Sequence, residues 1–93
     1  MIKVIDNFVI VPGNDCYTVG KEAQVKTKDG NVEFRVSDAK YFPTFEKCLE
    51  YIRRRMQMES IRNMDGTLQE AYRAMVAASD RFTAAISALN LDA

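Results

Sequence analysis

The hydrophobic pattern of the chain changes at Pro43, from strand-like before it to helix-like after it. Before Pro43, short segments rich in β-branched and aromatic residues alternate with turn-forming residues, which is typical of β-strands. These segments read IKVI, FVIVP, CYTVG, AQVKT and NVEFRV. Because tight turns connect antiparallel neighbours, residues 2–42 predict an antiparallel β-meander of four to five short strands with one apolar, covered face.

The strongest turn signal in this half is the segment KTKDGNVEF. Asp29 and Gly30 are the residue types that a two-residue type I′ turn prefers, since both of its central positions need a positive φ. Such a turn places Lys26 opposite Glu33, an opposite-charge pair across the two strands. The segment therefore predicts a hairpin with this register.

The first helix is predicted to span about residues 44–62. Thr44 is a good N-cap and Glu46 lies in the positive first turn. Apolar residues then recur at helical spacing and form one stripe. The stripe consists of Phe45, Cys48, Leu49, Ile52, Met56 and Ile61. The sequence NMDG at 63–66 follows, and Asn and Gly are both typical of the turn that ends a helix.

A second helix is predicted over residues of about 67–90. Thr67 and Glu70 form a capping box at its start. Apolar residues repeat every seven positions with alanines between them, which indicates a helix-packing seam. The seam consists of Leu68, Ala71, Met75, Ala78, Phe82, Ala85 and Leu89. A helix of this length spans about 33 Å, more than a sheet of short strands covers, so part of it is expected to pack on another copy of the chain.

The fold class predicted from these patterns is α+β, a single domain of residues 1–93. The antiparallel meander is followed by two α-helices that pack on it and on another subunit. A homo-oligomer, dimeric or larger, follows from that expectation.

Composition excludes several classes of protein. The formal net charge is zero, which argues against a nucleic-acid-binding protein. Polar residues interrupt the N-terminal apolar run, and no segment approaches the length of a membrane span. The two cysteines form no CxxC or Cys/His cluster. We therefore expect a protein of the cytoplasm with reduced thiols, no membrane partner and no nucleic-acid partner.

Histidine is absent from the chain. That absence removes the commonest general base, the commonest metal ligand and every Ser/His or Cys/His nucleophilic pair. The acidic residues are scattered singly among lysines and arginines, so no carboxylate pair stands out. The sequence predicts no catalytic residue, no metal site and no cofactor, and hence a protein that is not an enzyme.

Three consecutive arginines in the first helix, Arg53 to Arg55, are the most prominent polar feature. Helical spacing points them in three directions, with Arg54 away from the apolar stripe and the other two at its borders. Glu50 and Glu59 lie one turn away, where local ion pairs form. The run is therefore either a solvated, internally paired face or part of a site for an anion such as phosphate.

Further candidates lie along the two helices. Tyr51 and Met58 share a strip with Arg55, which is either core overflow or an interface. Arg81 has only alanines three and four residues away, and it is either a free surface arginine or a contact to a partner or ligand. Phe82 is either a core residue of the seam or a stacking surface, and Asn63 either a C-cap or a ligand contact. The predicted ligand-binding residues are thus Tyr51, Arg53, Arg55, Asn63, Arg81 and Phe82.

The order of these segments resembles that of a set of small phage proteins. The pattern consists of a MIK-type strand hairpin, a second hairpin around a Lys/Asp-Gly-Asn turn, the helix start YFPTFEKCLEYIRRR, then NMDG and TLQEAYRAM. Among these proteins the chain most resembles the first described Thoeris anti-defence family, and the resemblance covers nearly its full length. Members of that family bind cyclic nucleotide-derived immune signals, such as cyclic ADP-ribose isomers, between subunits and do not degrade them.

The resemblance implies an oligomeric phage protein that sequesters a phosphate-bearing small molecule in the cytoplasm of the bacterial host. None of the family's binding positions is carried over, because they do not align residue by residue with this chain. Two alternatives remain open: a phage protein that inhibits a host defence protein, for example a CRISPR effector, through direct contact, and a structural phage or plasmid protein without a ligand. DNA binding is a more distant alternative, because there is no helix-turn-helix pattern.

Overall fold

A computed structural model describes residues 1–88 as one four-stranded antiparallel sheet followed by two helices. The strand order in the sheet is the chain order, β1-β2-β3-β4. The elements are β1 Ile2–Ile5, β2 Phe8–Pro12, β3 Tyr17–Lys26, β4 Val32–Phe42, α1 Phe45–Ile61 and α2 Leu68–Ser87. The predicted α+β class, with a meander before two helices, is confirmed.

The chain divides into two compact units, Met1–Leu49 and Glu50–Ala93. The first contains the sheet and the start of α1, and the second contains the rest of α1 and α2. Each unit is described separately below. The prediction of a single domain stays a prediction, and so does packing on another subunit.

Two of the strands are longer than predicted. The predicted segments CYTVG and AQVKT form the single strand β3, and β4 continues to Phe42. The reason lies at Gly20, where β4 has a bulge: Val19 pairs with Lys40 and Lys21 with Ser37, so one residue of β3 faces two of β4. A Cβ on Gly20 would lie 2.5 Å from the Ser37 carbonyl oxygen. This glycine therefore permits close approach within a continuous strand and does not end it.

The predicted turn at residues 29–30 is wrong in type and register. Gly30 has a φ of 81°, but Asp29 does not have a positive φ, and the Gly30 amide donates to the Thr27 carbonyl at 3.0 Å. The loop is therefore a three-residue turn that ends in a left-handed glycine. Lys26 consequently pairs with Val32, and the predicted pair of Lys26 with Glu33 does not form.

A type I′ turn occurs instead between β1 and β2. Asp6 and Asn7 both adopt positive φ values, 50° and 69°. Asp and Asn tolerate this conformation better than other residues with a side chain. The turn sets Ile5 opposite Phe8.

The core of the first unit lies around β2. Phe8, Val9 and Ile10 are all buried, although successive strand residues point to opposite faces. Both faces of β2 are thus covered, where the sequence predicted one covered face. Val19 in β3, the register partner of Ile10, is also fully buried.

The outer halves of β3 and β4 form a two-stranded arm, which we define as residues 22–36. β2 pairs with β3 only from Tyr17 to Lys21. Beyond the Glu22 amide, which donates to the Asn7 carbonyl at 2.8 Å, the two strands of the arm form a ladder with each other and with no third strand among residues 1–88. Val32 and Phe34 on this arm are about half exposed, at 51% and 53%.

Helix α1 begins and ends within a residue of its predicted bounds. The Lys47 amide donates to the Thr44 hydroxyl at 3.2 Å, which confirms the N-cap. Phe45 in the first turn contacts Tyr17 edge-to-face, with ring centroids 5.9 Å apart. The predicted stripe is also confirmed: Cys48, Ile52 and Met56 are buried, and Phe45, Leu49 and Ile61 are half-buried.

The Thr67 N-cap of helix α2 is confirmed, because the Glu70 amide donates to the Thr67 hydroxyl at 3.1 Å. Ala78 and Phe82 of the predicted seam are buried, but Leu68 is 87% exposed. Leu68 is the first residue of the helix, so no preceding turn covers it. Leu89 and the predicted end near residue 90 lie outside the described residues. Within residues 1–88, neither helix combines the length and apolarity that a bilayer crossing requires.

Candidate functional site

The arginine run of α1 is held by glutamates of the same helix. Glu50 accepts from Arg53 Nε at 3.1 Å and from Arg54 Nε at 2.9 Å. The hydrogen bonds from Arg53, then those from Arg54, hold the pKa of the Glu50 carboxyl below its usual value. For these two arginines the contacts agree with the interpretation of a solvated, internally paired face.

Arg55 lies in a different environment, which we call the Tyr51 cluster: Tyr51, Arg55 and Glu59. Arg55 Nη1 donates to the Tyr51 hydroxyl at 3.2 Å, and Nη2 donates to Glu59 Oε1 at 3.3 Å. The guanidinium carbon also lies 5.9 Å from the centroid of the Tyr51 ring, within the range of a cation–π contact. The Arg55 side chain is 19% exposed, whereas that of Arg54 is 74% exposed.

One donor of the Arg55 guanidinium is left over. Its Nε atom is buried and has no hydrogen-bond acceptor among residues 1–88. A buried donor without an acceptor costs on the order of 1–3 kcal/mol, and more on a charged group. Desolvation lowers the pKa of Arg55, but the hydrogen bonds to Glu59 and Tyr51 outweigh it, so the pKa is raised. The group is a persistent cation whose Nε–H has no acceptor among residues 1–88.

The cluster is electrically balanced. Glu59 is 25% exposed and supplies one negative charge against the positive charge of Arg55. A phosphate oxygen would therefore compete with the Glu59 carboxylate for the same guanidinium. The arrangement places a buried N–H donor without an acceptor beside an aromatic ring.

Arg53 takes part in a separate contact. Its Nη1 atom lies 3.5 Å from the Ser79 hydroxyl of α2, at the limit of a hydrogen bond. Ser79 was not recognised from the sequence, because nothing local connects positions 26 residues apart. Arg53 thus links the two helices of the second unit, and its other nitrogens are bound to Glu50.

The remaining predicted residues have different environments. Asn63 is exposed, has no positive φ, and forms no hydrogen bond within residues 1–88. It is therefore not a left-handed C-cap. The turn after α1 is instead closed by a hydrogen bond that the Met64 amide donates to the Ile61 carbonyl. Phe82 is only 7% exposed, as its place on the seam favours. Tyr51 thus remains as the candidate ring for stacking.

Arg81 differs from its prediction. It is exposed, but it is not without an interaction partner. Of the two predicted alternatives, a free surface arginine is therefore wrong.

The strip predicted from Tyr51, Arg55 and Met58 is partly exposed. Met58 is 54% exposed, and Tyr51 and Arg55 are half-buried. Met58 is therefore open to a partner, while the other two side chains are largely engaged with each other.

The sequence did not indicate a depression of about 410 Å³ on the sheet. Its lining consists of Lys3, Asn7, Glu22, Gln24 and Phe34. Lys3 and Glu22 form a loose ion pair there, with Nζ and Oε2 3.8 Å apart. The alternation of Glu22 and Gln24 on one strand face could have suggested it, but only once the register of β3 and β4 was known.

Nucleophilic groups do not converge in the described part of the chain. Cys16 and Cys48 are both free thiols. Burial raises the pKa of the Cys48 thiol, which lies 3.3 Å from the Thr44 carbonyl as a hydrogen-bond donor. Among residues 1–88 no group of three or more histidine, cysteine or acidic residues is arranged to hold a metal ion.

Comparisons of the chain with protein-family models, with curated proteins and with solved structures find no match. They therefore neither confirm nor contradict the resemblance to the Thoeris anti-defence family, which stays a prediction based on the sequence pattern.

Proposed function

We propose that the protein is a phage anti-defence protein that binds and sequesters a nucleotide-derived cyclic immune signal in the bacterial cytoplasm without cleaving it. The signal would be a cyclic ADP-ribose isomer or a cyclic oligonucleotide. The observation that carries this proposal is the buried Arg55 Nε–H, a cationic donor without an acceptor among residues 1–88. A phosphate oxygen is the acceptor that best matches a guanidinium.

Two further features support an anionic, ring-containing ligand. The Tyr51 ring lies beside the guanidinium, and aromatic rings stack on nucleobases with about 1–3 kcal/mol per base. The absence of histidine from the chain is consistent with binding that involves no acid–base chemistry. The proposal therefore includes no catalytic residue.

Self-association is part of this proposal. Tyr72 and Val76 of α2 are exposed, at 67% and 39%, and lie one turn apart on the helix. Such exposed apolar residues at helical spacing are typical of a surface that another helix covers. A second copy on this helix would give the homo-oligomer that the resemblance implies.

The direct test is isothermal titration calorimetry with a panel of cyclic ADP-ribose isomers and cyclic di- and oligonucleotides. We expect one panel member to bind the wild-type protein, and Arg55→Ala to abolish the heat of binding. Arg54→Ala is the matched control, because Arg54 is the adjacent residue of the same type and is exposed on the paired face; it should bind as the wild type does. No heat with any ligand at micromolar protein would overturn the proposal.

A second variant addresses the competition within the cluster. Glu59→Gln removes the carboxylate that holds Arg55 Nη2 and leaves a side chain of similar size. If a phosphate uses this guanidinium, its affinity should increase, by about tenfold for a gain of about 1.4 kcal/mol. Unchanged affinity in Glu59→Gln would mean that the ligand binds elsewhere.

A protein-binding inhibitor is the alternative, and the exposure of Met58 favours it. Met58 is 54% exposed beside the Tyr51 cluster, and methionine is frequent at adaptable protein interfaces. In this case a host defence protein would supply the acceptor for Arg55. Met58→Glu should then abolish co-purification with that protein, whereas it should leave nucleotide affinity unchanged if the first proposal holds.

A further inference from the structure

Within residues 1–88, the backbone edge of the arm (residues 22–36) along β4 has no neighbouring strand. β4 is the last strand of the sheet, with β3 as its neighbour on one side. The Thr27 amide donates to the Asn31 carbonyl at 2.9 Å, and hydrogen-bonded and non-hydrogen-bonded pairs alternate along an antiparallel ladder. The N–H and C=O groups of Val32, Phe34 and Val36 are therefore directed away from β3.

The Glu22 amide confirms which pairs of the β3–β4 ladder are hydrogen-bonded and which are not. Glu22 is the register partner of Val36, and its N–H donates to the Asn7 carbonyl at 2.8 Å, outside the β3–β4 ladder. The pair of Glu22 and Val36 is thus a non-hydrogen-bonded pair of that ladder. The backbone of β4 at this position has its polar groups free for another strand.

The side chains of the same strand separate into two rows. Val32, Phe34 and Val36 share one face, and the first two are about half exposed. Glu33 and Arg35 share the other face, where they form an exposed ion pair along the strand with Arg35 Nη2 3.3 Å from Glu33 Oε2; 54% and 64% of their side chains are exposed. A free edge with an exposed apolar row is a surface for addition of another strand.

We propose that this edge is a self-association surface, on which β4 of a second copy pairs antiparallel with β4 about a two-fold axis at Phe34. In this register Val32 lies opposite Val36 of the second copy, and Glu33 lies opposite its Arg35. In this register the outward N–H groups of each strand lie opposite the outward C=O groups of the other, so that they can form hydrogen bonds. The apolar rows of the two copies become one continuous patch, and the charged rows form two opposite-charge pairs.

Charge distinguishes this register from its neighbours. A shift that keeps the hydrogen bonds in phase moves the strands by a two-residue step. One such step places Glu33 opposite Glu33, and the other places Arg35 opposite Arg35. Like charges directly opposite each other destabilise a strand pair, so the register centred on Phe34 is the favoured one. It is also self-complementary, as a two-fold interface requires.

This inference rests on the self-association part of the proposed function, but it names a surface other than α2. It needs neither the ligand nor the Tyr51 cluster.

Sedimentation equilibrium of the full-length protein over a range of concentrations tests the proposal. Glu33→Arg places like charges opposite each other at both symmetry-related pairs, and so does Arg35→Glu. We expect each single variant to weaken dimerisation by at least about tenfold at low salt, and less at high salt, because salt screens exposed charges. The double variant Glu33→Arg/Arg35→Glu restores opposite pairs and should dimerise as the wild type does.

A mixing experiment tests whether opposite charges at positions 33 and 35 hold the two copies together. A copy with Glu33→Arg carries arginine at both positions, and a copy with Arg35→Glu carries glutamate at both, so the two copies are complementary only to each other. A mixture should form a heterodimer at concentrations at which each variant alone is monomeric. Circular dichroism verifies that both variants keep the wild-type fold.

The outcomes separate the two proposals. A wild-type protein that stays monomeric overturns both self-association through α2 and pairing of the arms. A dimer that neither single variant weakens overturns the arm proposal alone. If both single variants dimerise more weakly than the wild type but their mixture fails to associate, the register centred on Phe34 is overturned.

Discussion

β3 and β4 have two different environments along their length. In the region that we call the base (residues 17–21 and 37–42), β3 pairs with β2 on one side and with β4 on the other, and Val19 is fully buried. In the arm the same two strands continue without a third strand, and Phe34 is 53% exposed. The backbone ladder continues from one region into the other, but burial does not.

This difference shows that the burial of apolar side chains, more than backbone hydrogen bonding, determines the stability of the sheet. A backbone hydrogen bond contributes on the order of 1 kcal/mol net, because it replaces bonds to water. Burial of a large aliphatic side chain contributes about 1.5–3 kcal/mol. A two-stranded hairpin without a covered face is marginally stable, so we infer that the base stabilises the arm and that the arm contributes little in return.

The largest expected effect comes from truncating one apolar residue in each region. Ile10→Ala removes a fully buried side chain opposite Val19 and should lower the free energy of unfolding by about 2–5 kcal/mol. Phe34→Ala removes a larger but half-exposed side chain and should change it by no more than about 0.5 kcal/mol. Urea denaturation measures both values.

The protein concentration in that measurement should lie below the range in which wild-type protein dimerises, so that association does not contribute. Equal losses for the two variants would show that the arm is as well packed as the base, and the comparison between the regions would fail.

Two glycines give the next largest effect. Gly20→Ala introduces a methyl group that would lie 2.5 Å from the Ser37 carbonyl oxygen in the base, and overpacking of this kind costs about 1–3 kcal/mol. Gly30 at the tip of the arm has open space around it but a φ of 81°, so Gly30→Ala costs only the strain of that conformation, about 1 kcal/mol. Thermal unfolding of both variants tests this order.

The variant Gly30→Asn tests whether the destabilisation at the tip of the arm comes from steric overlap or from the positive φ. Asparagine tolerates positive φ better than alanine, so Gly30→Asn should be less destabilising than Gly30→Ala. Gly20→Asn should be at least as destabilising as Gly20→Ala, because the obstacle there is the carbonyl oxygen itself. The opposite result at position 20 would mean that the bulge relaxes around a side chain.

Most of the fold could be predicted from local patterns. The caps Thr44 and Thr67, the apolar stripe of α1 and the order of the elements all depend on residues within one or two turns of each other. The errors arose where the backbone had a choice between similar turns. The sequence predicts CYTVG and AQVKT as separate segments and Asp29-Gly30 as a two-residue turn, and both distinctions depend on cross-strand pairing.

The candidate site could be predicted less completely. The pairing of Glu59 with Arg55 and of Glu50 with Arg53 follows from helical spacing. The exposure of Arg54 and the partial burial of Arg55 agree with their places in the helical projection, but the buried Arg55 Nε without an acceptor among residues 1–88 does not follow from it. The contact of Arg53 with Ser79 and the exposure of Phe34 depend on how distant segments meet.

The smallest expected effect comes from two lysines of β3, one in each region. The Nζ atom of Lys21 lies 5.1 Å from the centroid of the Phe8 ring, within the first unit, and an accessible cation–π contact of this kind contributes about 0.5–1 kcal/mol. Lys21→Ala should therefore lower the free energy of unfolding by about that amount. Lys26→Ala, at an exposed position of the arm, should change it by less than about 0.5 kcal/mol.

Lys21→Arg completes this pair of variants, because an arginine keeps both the charge and the affinity for an aromatic face. It should retain the wild-type stability, as measured by urea denaturation under the same conditions. If Lys21→Arg were as destabilised as Lys21→Ala, the contribution of Lys21 would depend on its shape and not on its charge. If Lys26→Ala were the more destabilising alanine variant, the arm would hold a stabilising contact of its own, and the base would not be the main source of stability.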